Sequence, residues 1–123
     1  MDYITFYNVN GKPIAWLNED NYTTVYLFSG EPVAWISDGS IYSFSGHHLG
    51  WYLDGWVRDH NGYCVFFTQN ATGGPPKPAR QARPARGARS AKPARAARRA
   101  RPAMTAGKTA WSSTSSEVFF RQY

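Results

Sequence analysis

Positive charge recurs at a fixed step in the C-terminal half of this chain. Arg80, Arg83, Arg86, Arg89, Lys92, Arg95, Arg98 and Arg101 fall every third residue, mostly after an alanine. Residues 73–108 hold eleven Lys/Arg and no acid. Such a run attracts phosphate backbones or anionic lipid surfaces, with an affinity that falls steeply with salt. It has no interleaved aromatics, so stacking on single-stranded bases is not supported. A solvating spacer is the plainer reading. The chain's own acidic half is a further partner. Residues 1–72 carry Lys12 and Arg58 against seven acids, a formal −5, and the last fifteen residues are neutral. The overall +6 therefore belongs to the basic stretch.

Other candidates for chemistry are thinner. His47, His48 and His60 invite a metal, but adjacent His47 and His48 point to opposite faces and a third ligand, Asp59 or Asp38, would be needed. Asp38, Asp54 and Asp59 include ordinary Asp-Gly turn signals. Ser, His and Asp are all present, yet no nucleophile-elbow spacing or phosphate-cradling glycine loop occurs. The expectation is a protein that is not an enzyme, with no cofactor and no metal. Cys64 has no partner for an intrachain disulfide and reads as a small apolar strand residue. The aromatic set reads either as core or as a site. In the second case Trp16, Trp35, Trp51, Tyr26 and Tyr42 would present ring faces to a lipid or sugar at an open mouth.

The elements that must carry these residues come from a repeat. Val25–Trp35 (VYLFSGEPVAW) is an apolar run, a turn and a second apolar run. Ile41–Trp51 (IYSFSGHHLGW), Phe6–Trp16 (FYNVNGKPIAW) and Val57–Phe67 (VRDHNGYCVFF) follow the same plan. Turn glycines fall at 11, 30, 46 and 62. Asn-Gly and Ser-Gly tolerate the positive φ of tight hairpin turns, and the flanks are strand formers. A two-residue loop at Ser29-Gly30 sets Phe28 against Glu31, Tyr26 against Val33 and Thr24 against Trp35. The Trp lies on one face, and the small residue before it (Ala15, Ala34 or Gly50) lies on the other. Four hairpins make about eight antiparallel strands, enough to close a barrel filled by side chains. The expected fold is all-β, a shallow pseudo-fourfold barrel of four consecutive hairpins over residues 1–72, with the Trp face inward.

Residues 73–108 lack aromatics altogether and are rich in Pro, Ala and Arg. A three-residue period matches polyproline II, and nothing larger than Ala and Met104 is available for a core, so the stretch reads as a disordered linker. Residues 109–123 regain Trp111, Phe119, Phe120 and Tyr123. Residues 117–123 read as a strand-like run, and the segment is expected to pack back on the barrel because burial of its rings would repay its ordering. No apolar run is long enough for a membrane helix and no signal peptide is visible, so a cytoplasmic location is expected.

The order of these hairpins resembles the four-fold β-flower family. The resemblance rests on residues 30–35 (GEPVAW), residues 41–51, Asp54-Gly55, residues 58–62 (RDHNG), and a Pro-rich stretch followed by Trp111-Ser112 and a Phe-bearing end. It implies a shallow symmetric barrel, no settled function and no catalytic residues. Gly50-Trp51 and Gly55-Trp56 also occur as pairs in choline-binding cell-wall repeats, which sit behind secretion signals. The functional expectation is a non-enzymatic interaction module whose basic tether, with Arg80, Arg83, Arg86, Arg89, Arg95 and Arg98, engages nucleic acid or an anionic membrane surface. The alternative is a small-ligand barrel with an aromatic mouth.

Overall fold

The computed structural model describes residues 2–121. Eight strands occupy the first half of the chain: β1 (Ile4–Tyr7), β2 (Pro13–Leu17), β3 (Thr24–Leu27), β4 (Pro32–Ser37), β5 (Ser40–Tyr42), β6 (His48–Leu53), β7 (Trp56–Arg58) and β8 (Cys64–Phe67). Each pairs antiparallel with the next. β8 pairs back on β1 through Phe67 and Tyr7, so the sheet closes into a barrel. Closure removes the unpaired edges that short strands would otherwise present.

Four turns at the strand tips are one residue longer than the two-residue loops expected. Gly30 N–H donates to the Leu27 carbonyl and Leu27 N–H to the Glu31 carbonyl, both at 2.9 Å. The same two bonds link Asn8 with Gly11 and Lys12, Ser43 with Gly46 and His47, and Asp59 with Gly62 and Tyr63. These are three-residue loops closed by a positive-φ glycine at a bulge. The bulge shifts the register. Thr24 faces Trp35 and Val25 faces Ala34, but Tyr26 faces Pro32 instead of Val33. Two-residue turns with both residues at positive φ occur elsewhere, at Asp38-Gly39 and Asp54-Gly55.

The expected inward Trp face is the outer one. The interior cluster contains Phe6, Ala15, Val25, Ala34, Ile41, Val57 and Phe66, and Phe6 meets Tyr52 from non-adjacent β6 at 5.6 Å. Side chains alternate along a strand, so Trp16 and Trp35, each following an interior alanine, lie on the outside, as does Trp51 after Gly50. The physical reason is volume. The interior of an eight-stranded barrel is just filled by side chains, here with Phe6, Phe66 and Phe119 among them, and three indoles in place of Ala15, Ala34 and Gly50 would overfill it.

One end of the interior is plugged from the C-terminal segment. Helix α1 (Ser116–Phe119) is capped by Ser115, whose Oγ accepts from Val118 N–H at 3.3 Å. Phe119 and the adjoining Phe120 are buried against Phe66, with ring centroids at 5.8 and 5.5 Å. Gly50 leaves the space, since a Cβ there would lie 3.2 Å from Phe119 Cζ. Residues 116–119 are thus helical, not strand-like. A single turn has no helical stability of its own, and the buried rings fix it. Gln122 and Tyr123 lie outside the described residues. Upstream, Trp111 makes a parallel bridge to Cys64, and Cys64 N–H donates to the Ala110 carbonyl at 3.0 Å.

Residues 73–108 contain neither helix nor strand, but they are not the disordered linker that their composition suggests. They run along the outer wall and are hydrogen-bonded to it from Gln81 to Lys108. The stretch has no aromatic surface of its own to bury, and the barrel supplies it.

Candidate functional site

The strap, residues 75–108, meets the barrel with a period of nine. Backbone N–H groups of Gln81, Ser90, Arg99 and Lys108 donate to the carbonyls of Gly11, Gly30, Gly46 and Gly62 at 2.8–3.0 Å. Between them, Gly87 N–H reaches the Phe28 carbonyl at 2.7 Å and Ala96 N–H the Phe44 carbonyl at 2.8 Å. The carbonyls of Ala79, Ala88, Ala97 and Ala106 press on the same four glycines so closely that a methyl at any of them would collide. The tip glycines therefore do two things: they adopt positive φ, and they admit the strap backbone. Three turns of a three-residue helix make nine residues, so the strap presents the same side to each tip.

That register lays guanidinium groups on the outer aromatics. Trp16 stacks with Tyr26 (4.8 Å), Trp35 with Tyr42 (5.1 Å) and Tyr7 with Phe67 (5.3 Å). Arg80, Arg89 and Arg98, nine apart, lie 5.7–5.8 Å over Tyr7, Tyr26 and Tyr42. Arg86 and Arg95 lie 4.6 and 4.3 Å over Trp16 and Trp35. Cation–π contacts of this kind stabilise by about 0.5–1 kcal/mol each when partly exposed. They leave the indoles buried although they face outward. Trp56 lies in the same wall, and its Nε1–H donates to the Thr72 carbonyl at 2.9 Å, pinning the chain where the strap begins.

Carboxylates of the acidic barrel take some of the charge. Arg86 pairs with Glu19 at 2.7 Å, Arg89 with Asp20 at 3.2 Å, Arg101 with Asp38 at 3.2 Å and Arg83 with Asp2 at 3.6 Å. The hydrogen bond from Arg86 holds the Glu19 carboxyl below its ordinary range, and the bond to Asp20 raises Arg89. Lys92, Arg95, Arg98 and Arg99 are exposed and have no carboxylate partner among the described residues.

The histidine and aspartate candidates separate. His48, not His47, meets His60, with Nδ1 to Nε2 at 3.0 Å and the rings stacked. His48 is buried beside Tyr42 and Trp51, and burial, then the neighbouring His60 and Arg101, lower its pKa to about 4. Asp59 Oδ1 accepts from the N–H groups of Asn61 and Tyr63, and Oδ2 accepts from the Ser112 hydroxyl. It ties a tip turn to the C-terminal segment. Among the described residues no group of three or more His, Cys, Asp or Glu is placed to hold a metal. Burial raises the Cys64 thiol, so the reactive thiolate is scarce.

Among the described residues Trp16, Trp35, Trp51, Tyr26 and Tyr42 lie in the outer wall under the strap and do not line a mouth. A cavity of about 530 Å³ does open at the barrel rim, lined by Tyr22, Tyr52, Arg80 and Arg83 among others. Thr5 also lines it, and its buried Oγ1 has no hydrogen-bond partner.

Fold and surface together define a closed antiparallel barrel girdled by its own basic segment. The chain belongs to the 4-fold beta flower family, whose model matches residues 4–120. No curated protein and no solved structure matches it. No helix among the described residues is long and apolar enough to cross a membrane. Reading the cations at a step of three hid the longer repeat. Ala79, Ala88, Ala97 and Ala106, with Pro84, Pro93 and Pro102, recur every nine residues. That signal assigns one strap unit to each tip glycine.

Proposed function

We propose that this protein is a non-enzymatic interaction module, four hairpins each clasped by one strap unit, which binds nucleic acid through the outer edge of its strap. The supporting observation is the run Lys92, Arg95, Arg98 and Arg99, four exposed cations without carboxylate partners among the described residues, on a backbone hydrogen-bonded to the barrel at Ser90, Ala96 and Arg99. A tether would lose conformational freedom on binding. A strap already fixed loses little, so more of the charge attraction appears as affinity. Arg83, Arg86, Arg89 and Arg101 keep 33–42% of their side-chain surface exposed and add to the field. Residues 92–99 themselves carry no apolar side chain larger than alanine and proline, which favours nucleic acid over a lipid surface. The contact is to phosphates, so little base specificity is expected.

Anisotropy of labelled duplex and single-stranded DNA tests this, with anionic vesicles in parallel. Expected is binding whose log K falls linearly with log salt, with a slope of roughly −3 to −4 for four phosphate contacts. Lys92→Ala with Arg99→Ala should weaken it and flatten the slope by about 0.9 per cation removed. Binding to vesicles but not DNA, or an unchanged slope, contradicts the reading.

A second reading is favoured by the rim cavity. Its tyrosines, two arginines and the unpartnered Thr5 hydroxyl suit a small anionic sugar better than a lipid. Chemical-shift changes at Tyr22 and Tyr52 across a sugar and sugar-acid panel test it, and no change throughout dismisses it.

A further inference from the structure

We propose that the outer wall of the barrel is a groove of four related subsites, three built on a tyrosine and one on Arg58, that reads an Ala/Pro peptide carrying arginine in a nine-residue register, and that Arg58 with Gly107 sets the one register in which the strap occupies it. Occupancy by the chain's own strap is the observed case. The recognition rule is what the geometry adds, and it stands independently of the nucleic-acid reading.

The relation is visible in the sheet. Tyr26 is the cross-strand partner of Trp16, Tyr42 of Trp35 and Tyr7 of Phe67. At the fourth place the partner of Trp51 is Arg58. The strap answers this change. It offers Arg80, Arg89 and Arg98 to the three tyrosines, and nine residues after Arg98 comes Gly107. A Cβ on Gly107 would sit 3.0 Å from Arg58 Cζ. The barrel's own guanidinium thus fills the volume that a strap guanidinium fills elsewhere, and it donates to the carbonyls of Gly62 at 2.8 Å and Lys108 at 2.7 Å.

The consequence is a register lock. The strap units are so alike that sliding by nine residues would re-form most backbone bonds at the next tip. Sliding in the direction that brings Arg98 to the fourth subsite would drive it into Arg58, with both steric overlap and like-charge repulsion. Only the unit bearing glycine is accepted there. Sliding the other way would place Gly107 over Tyr42 and forgo a cation on that ring.

A charge-conserving swap tests the lock. Gly107→Arg alone should lower Tm and speed tryptic cleavage after Arg99, read by mass spectrometry. Arg58→Tyr alone should lower Tm by loss of its contacts to the carbonyls of Gly62, Lys108 and Gly73. The double variant Arg58→Tyr/Gly107→Arg rebuilds the tyrosine–arginine subsite and should recover most of both losses. A double variant as impaired as the two single effects combined overturns the lock. Reading in trans is tested on the full chain loosened by Arg86→Ala/Arg95→Ala, with a labelled peptide of residues 79–105. A peptide of identical composition with its prolines and arginines moved out of the nine-residue period should bind at least tenfold more weakly. Equal binding of the two peptides, or none of either, overturns the groove. DNA binding enters neither experiment, so failure here is distinct from failure of the proposed function.

Discussion

His48 lies where a proton is unwelcome, buried between Tyr42, Trp51 and the His60 ring with Arg101 nearby. Its folded pKa, about 4, is below the unfolded value of about 6.5. Above that unfolded value neither state binds the proton and its contribution to stability is full. As pH falls from about 6.5 toward 4 the unfolded chain takes the proton and the folded chain does not, so stability declines. Urea unfolding at pH 7.5 and pH 5 should differ by on the order of 2 kcal/mol from this residue, and His48→Gln should remove that part of the difference. An unchanged pH dependence in the variant would show that the loss arises elsewhere. Gly30 gives a second test at the same scale. Its φ of 99° and the Ala88 carbonyl against it both exclude a side chain. Gly30→Ala should cost about 1–3 kcal/mol and raise tryptic cleavage near Arg89, both measurable on one preparation.

Among the elements, the hairpins were the most legible in sequence, because glycine at 11, 30, 46 and 62 and the β-branched and aromatic flanks state both turn and strand. Turn length was not legible. A three-residue bulged loop and a two-residue loop both place a small polar residue before glycine, and only the hydrogen bonds to Lys12, Glu31, His47 and Tyr63 separate them. The facing of Trp16, Trp35 and Trp51 was hidden for a related reason: both faces are apolar, and what decides is the narrow interior, a property of closure that no single hairpin carries. Helix α1 could not be read from four residues, since its support is tertiary. Phe119→Ala should cost about 3–5 kcal/mol by opening a cavity under Gly50. Val118→Ala, on an exposed side chain of the same helix, should cost little. Chemical denaturation of both checks this, and similar losses would mean the plug is held by the helix and not by its ring.

At the scale of the molecule, the strap inverts the meaning of composition. A segment with no large apolar residue except Met104 fails as a core, yet it covers aromatics that the barrel cannot hold inside. Arginine is suited to this because its flat cation stacks on rings while its edge stays wet. The acidic barrel and the basic strap neutralise each other only in part, and Lys92 and Arg99 have neither a carboxylate nor a ring partner among the described residues. The candidate surface was half legible: the arginines stood out, but their partners on the barrel depended on a nine-residue period masked by the shorter one. Everything proposed for the surface depends on the strap being bound in register. Residue-resolved amide hydrogen exchange at low salt measures that directly. The account predicts slowed exchange at Gln81, Gly87, Ser90, Ala96, Arg99 and Lys108, with fast exchange at neighbours such as Arg83 and Arg86 whose N–H groups make no backbone bond to the described barrel residues. Uniformly fast exchange from residue 79 to residue 108 would contradict it.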